Sequence, residues 1–239
     1  MKPLYLQLYS LRDLPDYREV AKLTAGMGYD GVELAGGYEV VPAAERRALY
    51  DKLGLECIGA HTGLADVEAE IAYIKAMGGK YLVLPYAEMK TREQVMAIAA
   101  KLNNAAKLAA KHGITVGYHN HHHEFEKVDG EYILDILLAN TDKSVFCQLD
   151  VFWVAYAGLD VYEYMKKQSG RVGMIHIKEI SKDGKRENVV VGEGAFDWHR
   201  LVNEARAAGA KEFIVEQEEY PIPPIESCAK DYEFLSTIV

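Results

Sequence analysis

The sequence predicts a single α/β domain folded as a (β/α)8 TIM barrel over residues 1–239. Three observations carry that reading: short apolar runs recurring along the whole chain, helical spacing between them, and a helix-stopping residue before each return to a run. The runs are Leu4–Leu8, Gly31–Leu34, Leu55–Ala60, Lys80–Leu84, Ile114–Tyr118, Val145–Leu149, Gly173–Ile177 and Phe213–Glu216. Each has the length and β-branched or aromatic content of a buried strand. Between them, apolar residues return every three or four positions, as in Val20, Leu23, Thr24 and Met27, or Ile71, Ile74 and Met77, which is the repeat of a helix face.

Helix starts are marked by residues that accept from orphan backbone N–H groups. Thr91 with Gln94 and Asp160 with Glu163 have capping-box spacing, and Asp66 and Asp197 read as plain N-caps. Helix ends fall at Gly28, Gly54, Gly78, Gly113, Gly170 and Gly209, with Asn140 at the seventh junction. Glycine takes a left-handed conformation without steric cost, and asparagine is the next choice. Eight strands separated by seven helices, with a last helix around Ser227–Ser236, close into a parallel barrel. An open doubly wound sheet alternates in the same way, but typically has a glycine-rich loop after its first strand; Gln7–Arg12 has no glycine. Asp183–Glu187 reads as a solvent-exposed turn, and Pro221–Pro224 stiffens the passage into the last helix.

A chain of 239 residues can bury its own core, so metal ligands point to chemistry more than to structural support. The net charge of −9 repels a phosphate backbone, and nucleic acid is not an expected partner. No run reaches the ~20 apolar residues of a membrane span. Cys57, Cys147 and Cys228 show no metal-binding spacing, and the first two lie inside apolar runs. They read as buried thiols in a reducing compartment. The segment 1–14 lacks the apolar stretch of a secretory leader, and a cytoplasmic location is expected.

In a barrel of this kind chemistry sits at the carboxyl ends of the strands. There the sequence places Gln7, Tyr9, Glu33, His61, Tyr86, His119, His121, Asp150, His176, Lys178, Glu216 and Glu218. Each alone has an ordinary structural role: His61 as a hydrogen-bonded histidine, Glu33 as a salt-bridge partner, Tyr86 as rim packing. Together, histidines and carboxylates at the ends of strands 5 to 8 are costly to bury unless a cation or a substrate compensates them. Asp150, His176 and Glu216, with one further ligand after strand 5, make a shell for one divalent ion such as Mn²⁺, Mg²⁺, Co²⁺ or Zn²⁺.

The segments Gly117-Tyr-His-Asn-His with Glu124-Phe125, Gln148-Leu-Asp-Val-Phe-Trp153, His176-Ile-Lys178 and Val215-Glu-Gln217 resemble the xylose isomerase-like TIM-barrel superfamily. Within it the chain is most similar to the group called sugar phosphate isomerases/epimerases, over nearly its whole length. The resemblance implies metal ligation by Asp150, His176 and Glu216, and substrate contact by His61 and Lys178. It puts Glu33 and Trp153 near or against the pocket; Tyr9 is a further candidate for substrate contact. Epimerases of this superfamily carry a glutamate at the end of strand 5, serving as both ligand and base, where this sequence has His119. Glu124 is the nearest carboxylate, and we assign it as the fourth ligand, with His119 and His121 acting on substrate; His119 on the metal is the alternative. His122 and His123 read as loop residues.

The expected reaction is isomerisation or epimerisation of a ketose or related sugar through an enediolate, with Glu216 as one base. The imidazole at strand 5 makes elimination from a keto-sugar or inosose, as a dehydratase or lyase, the main competitor. An endonuclease IV-like nuclease and a non-catalytic sugar-binding barrel are the remaining classes; charge and ligand count oppose the first, and the grouped Asp150, His176 and Glu216 the second. A homodimer is compatible with the fold. No phosphate-binding loop is visible.

Overall fold

A computed structural model describes residues 3–219 and 222–239; Pro221, one of the prolines assigned to the passage before the last helix, lies outside them. Eight parallel strands close into a barrel in sequence order: β1 (Leu4–Gln7), β2 (Gly31–Leu34), β3 (Glu56–His61), β4 (Tyr81–Leu84), β5 (Thr115–His119), β6 (Phe146–Asp150), β7 (Val172–Ile177) and β8 (Glu212–Val215). The ring is completed by β8 against β1, with Leu6 opposite Val215. All eight runs expected as strands are strands, displaced by one residue at most ends.

Around them lie α1 (Tyr17–Met27), α2 (Ala43–Leu53), α3 (Val67–Met77), α4 (Arg92–Ala110), α5 (Ile133–Ala139), α6 (Val151–Tyr156), α7 (Val161–Lys167), α8 (Trp198–Ala208) and α9 (Pro224–Leu235). The connection after β6 is two helices where one was expected. The break passes through Gly158, which has φ +81°, and Asp160 restarts the chain as an N-cap accepting from the N–H groups of Tyr162 and Glu163. Thr91 forms the full reciprocal box with Gln94, and Asp66 and Asp197 cap α3 and α8.

The six glycines expected at helix ends are all left-handed. Asn140 is not: its φ of −105° and ψ of 4° correct that expectation. Its side chain, not a left-handed backbone, closes the helix end, with Nδ2 donating to the carbonyl of Ile136 at 2.7 Å. The last helix starts three residues earlier than expected because Pro224 occupies its first turn, where a missing N–H costs nothing. The 183–187 turn is exposed, and the three cysteines are buried and free. Among the described residues no helix is long and apolar enough to cross a membrane.

Strand alternation decides what fills the barrel. Its amino-terminal end is plugged by Tyr5, Ile58, Val83, Phe146, Met174 and Ile214. The Phe146 ring has room only because its neighbours lack side chains: a Cβ on Gly117 would lie 2.5 Å from the ring, and one on Gly173 would lie 2.8 Å from the Phe146 side chain. The outer faces of the strands pack against the helices in one continuous apolar layer.

Candidate active site

One pleat beyond the plug the interior turns polar, because alternation returns the next side chain of each strand to the same space. Gln7, Glu33, Gln148 and His176 are completely buried there. Glu33 is the hub: Gln7 Nε2 donates to its Oε2 at 2.7 Å and Gln148 Nε2 to its Oε1 at 2.8 Å. His176 Nε2 lies 2.8 Å, and His61 Nε2 3.2 Å, from Oε2. His61 Nε2 also meets Gln148 Oε1 at 2.7 Å. Burial alone would raise the Glu33 carboxyl, but His61 and the hydrogen bond from His176 outweigh it and hold the carboxylate ionised.

Above this layer His119, Asp150, His176 and Glu216 converge, each offering a ligand atom within 4.8 Å of the others. Register explains the convergence: β6 and β7 pair Asp150 with His176, and β5 and β6 pair His119 with Gln148, one step below Asp150. His176 Nδ1 lies 3.2 Å from Glu216 Oε2. Burial opposes a charge on His176, yet the bonds to Glu216 and Glu33 raise it to about 10. Lys178, fully buried, has Glu218 Oε1 at 2.7 Å, Asp150 Oδ2 at 3.0 Å and Glu216 Oε2 at 3.1 Å. Against its own desolvation, these carboxylates keep the ammonium charged. Burial would likewise raise Glu216, but Lys178 and His176 drive it well below the usual carboxylate range.

Carboxylates crowd the mouth: Glu33 faces His61 and His176, and Asp150, Glu216 and Glu218 share the Lys178 ammonium. Two polar atoms of the converging group are also unsatisfied. His119 Nδ1 has no hydrogen-bond partner, and Asp150 Oδ2 has Lys178 as an ionic neighbour but receives no hydrogen bond of good geometry. Two imidazoles and two carboxylates within reach of one another, with His119 Nδ1 and Asp150 Oδ2 unsatisfied, fit a divalent cation. Glu33 then has a clear part: it holds the far nitrogen of His176 and so fixes the ring's orientation.

A cavity of about 290 Å³ opens over this group, with Tyr9, His61, Tyr86, His119, His121, Glu216 and Glu218 on its wall. Burial, then the nearby Lys178 charge, lowers His121 to about 3; burial and the neighbouring His176 and His121 also push His119 far down. Both imidazoles are neutral near pH 7. The Trp153 ring packs against His121 at 5.6 Å and His122 at 5.2 Å, and lies 5.3 Å from Lys178 Nζ, so it backs the site.

Two candidate residues have their oxygens engaged away from the cavity. Glu124 is buried but turned away: its Oε1 accepts from the Tyr118 hydroxyl at 2.5 Å and its Oε2 from the His121 N–H at 2.9 Å. With both oxygens engaged in shaping the loop after β5, it stands outside the converging group, and His119 stands within it. Glu33, expected near substrate, has its oxygens occupied by Gln7, Gln148 and His176 and is absent from the cavity wall. Tyr9, His61, His119, His121 and Glu216 are on that wall as their strand-end positions suggested, whereas Lys178 works beneath it. Gln148, the link between His61 and Glu33, was not singled out. Two-residue alternation with Asp150 on the same strand was the signal that places it inside.

The chain matches the family described as xylose isomerase-like TIM barrel over residues 21–238. It belongs to that family. Among curated relatives, an inosose dehydratase of Clostridium perfringens (strain ATCC 13124) is 29% identical over 48% of this chain and 44% of its own length. This match therefore spans less than half of the relative. An inosose dehydratase of Mesomycoplasma hyopneumoniae (strain J) is 24% identical over 90% of this chain and 86% of its own length. A sugar phosphate isomerase/epimerase from Parabacteroides distasonis superposes with a TM-score of 0.85 at 22% identity, covering 98% of this chain and 94% of that one. The IOLI protein, solved with a bound zinc atom, has a TM-score of 0.79 at 12% identity, covering 100% and 99% of the two chains.

Proposed function

We propose that this member of the xylose isomerase-like family is a divalent-metal-dependent isomerase or epimerase of a ketose or related keto-polyol, acting through an enediolate. The observation that carries the reading is the convergence of His119, Asp150, His176 and Glu216 under an open cavity. A divalent ion held there supplies Lewis acidity toward a carbonyl and its neighbouring hydroxyl. The bound zinc of the IOLI protein supports such an ion in this fold.

The chain's own residues do the rest. Glu216, kept ionised by Lys178 and His176, takes the proton from the carbon next to the carbonyl. Glu216 can return the proton to the neighbouring carbon of the enediolate, while His121, neutral and on the cavity wall, hydrogen-bonds a substrate hydroxyl from a second position. Lys178 balances negative charge as it develops, and Tyr9 and Tyr86 flank the opening.

A second reading, dehydration of a keto-sugar or inosose, is favoured by the imidazole of His119 in the place of a carboxylate and by the inosose dehydratases among the relatives. Glu218, on the cavity wall beside Lys178, is the group placed to meet a departing hydroxyl.

Both readings are tested by metal analysis together with ketoses, 3-keto-sugars and inososes in deuterated water. Deuterium entering the product without loss of water supports isomerisation or epimerisation, and an unsaturated product supports dehydration. If no substrate gives either result in the metal-loaded protein, the proposal is wrong.

A further inference from the structure

A second hollow, of about 420 Å³, lies beside the reaction cavity. It is formed between the loop after β2 and the start of α3, and it shares Gly36 and His61 with the reaction cavity. Those two residues stand on the walls of both spaces, and the reaction proposed above does not use the second one.

The hollow is stiff and has a distinct chemistry. Tyr38 and Tyr73 make an aromatic wall, their ring centroids 4.9 Å apart. The Tyr73 hydroxyl is pinned: it donates to the carbonyl of Val41 at 2.8 Å and accepts from Arg46 Nε at 3.1 Å. Gly36, Gly37, Ala65 and Ala69 leave the space open. Glu70 Oε1 accepts from the Ala65 N–H at 3.2 Å, whereas its buried Oε2 has no hydrogen-bond partner. Glu70 lines the hollow, and a turn of its carboxylate would bring the unpartnered oxygen to a ligand donor. The loop also holds Leu64, a non-glycine residue at φ +50° that is only 4% exposed, and such strain gathers at binding loops.

Charge narrows the ligand. Glu39, Asp66 and Glu70 line the hollow without a lysine or arginine among the lining residues. The first turn of α3 is already capped by Asp66 and carries Glu68 and Glu70, so it offers nothing to an anion. A phosphate is disfavoured. An aromatic wall, room for a ring and acidic side chains on the wall suit a neutral, hydroxyl-rich ring, whose C–H face packs on tyrosine while its hydroxyls donate to carboxylates such as Glu70.

We propose that this hollow is a second sugar subsite, and that the natural substrate is an unphosphorylated glycoside whose reacting ring sits over His119 and whose attached ring lies against Tyr38 and Tyr73. The inference rests on the keto-polyol reading of the reaction cavity.

The test is calorimetric binding to the Mn²⁺-loaded protein of glucose, glucose 6-phosphate and a panel of glucose disaccharides. At least one disaccharide is expected to bind about tenfold tighter than glucose, the equivalent of about 1.4 kcal/mol, and glucose 6-phosphate no tighter than glucose. Ala69→Phe, which fills the hollow, should bring that disaccharide down to the affinity of glucose and leave glucose unchanged. Glu70→Gln should weaken the disaccharide alone by a few fold, and it decides the matter if Ala69→Phe does not fold. Absence of any disaccharide preference, tightest binding of the phosphate ester, or equal weakening of both ligands by the variants overturns the subsite. Deuterium exchange separates the two ideas. Exchange without disaccharide preference removes only the subsite, whereas preference without exchange removes only the reaction.

Discussion

At the amino-terminal end of the barrel Tyr5, Phe146, Met174 and Ile214 fill the interior; two residues farther along the same strands stand Gln7, Gln148, His176 and Glu216. Neighbouring layers on one scaffold thus have opposite chemistry. The lower layer gains free energy from apolar burial. The upper layer loses hydration and recovers part of it through internal bonds, and the unsatisfied His119 Nδ1 and Asp150 Oδ2 are what it does not recover. Stability is therefore expected to depend on the plug, and ligand binding and turnover on the mouth.

The largest effect should come from the mouth. Asp150→Asn is expected to lower turnover by about 10²–10³-fold while the thermal midpoint without metal stays near that of the parent. A large loss of folding stability in the metal-free variant would mean that the two layers are not separable in this way. Next, Phe146→Ala should cost about 3–5 kcal/mol in denaturant unfolding, with the pH profile of the reaction unchanged; a shifted profile would show that the plug tunes the mouth.

Metal affinity sharpens the contrast within the mouth. His119→Ala is expected to weaken Mn²⁺ or Zn²⁺ binding at least as much as the ~10–100-fold seen for outer-shell partners, and Glu124→Gln to leave it nearly unchanged. The opposite order, read by metal competition with a chelator, would restore Glu124 as the ligand.

The smallest effect concerns pH. Folding favours the protonated His176, raised to about 10 from an ordinary value of about 6.5. Its contribution to the stability of the metal-free protein is therefore complete below about pH 6.5, declines above that, and is lost once the pH passes about 10. His176→Gln should flatten that part of the stability curve, and an unchanged curve would refute the assignment.

The barrel was legible because its signals are local. Apolar runs, capping side chains such as Thr91 and Asp66, and left-handed glycines such as Gly54 and Gly78 each act within a few residues. The strand-end positions of Asp150, His176 and Glu216 followed from the same periodicity. Asn140 misled because its ordinary function, a left-handed stop, is replaced here by a side-chain bond to Ile136, which composition cannot distinguish.

Only the tertiary structure decided how the mouth is wired. The sequence favours Glu124 as the fourth ligand with His119 as the alternative, but the Tyr118 hydroxyl and the His121 N–H take up Glu124, and strand register carries His119 inward. Glu33 became the support of His176 through a contact 143 residues long in sequence, and Lys178 met three carboxylates from two other strand ends. By itself the sequence determined the strands, the helix stops and the kinds of chemistry at the strand ends, since these depend on near neighbours. Which side chains share a proton, a charge or an ion depends on barrel closure and register, and those exist only once the chain has folded.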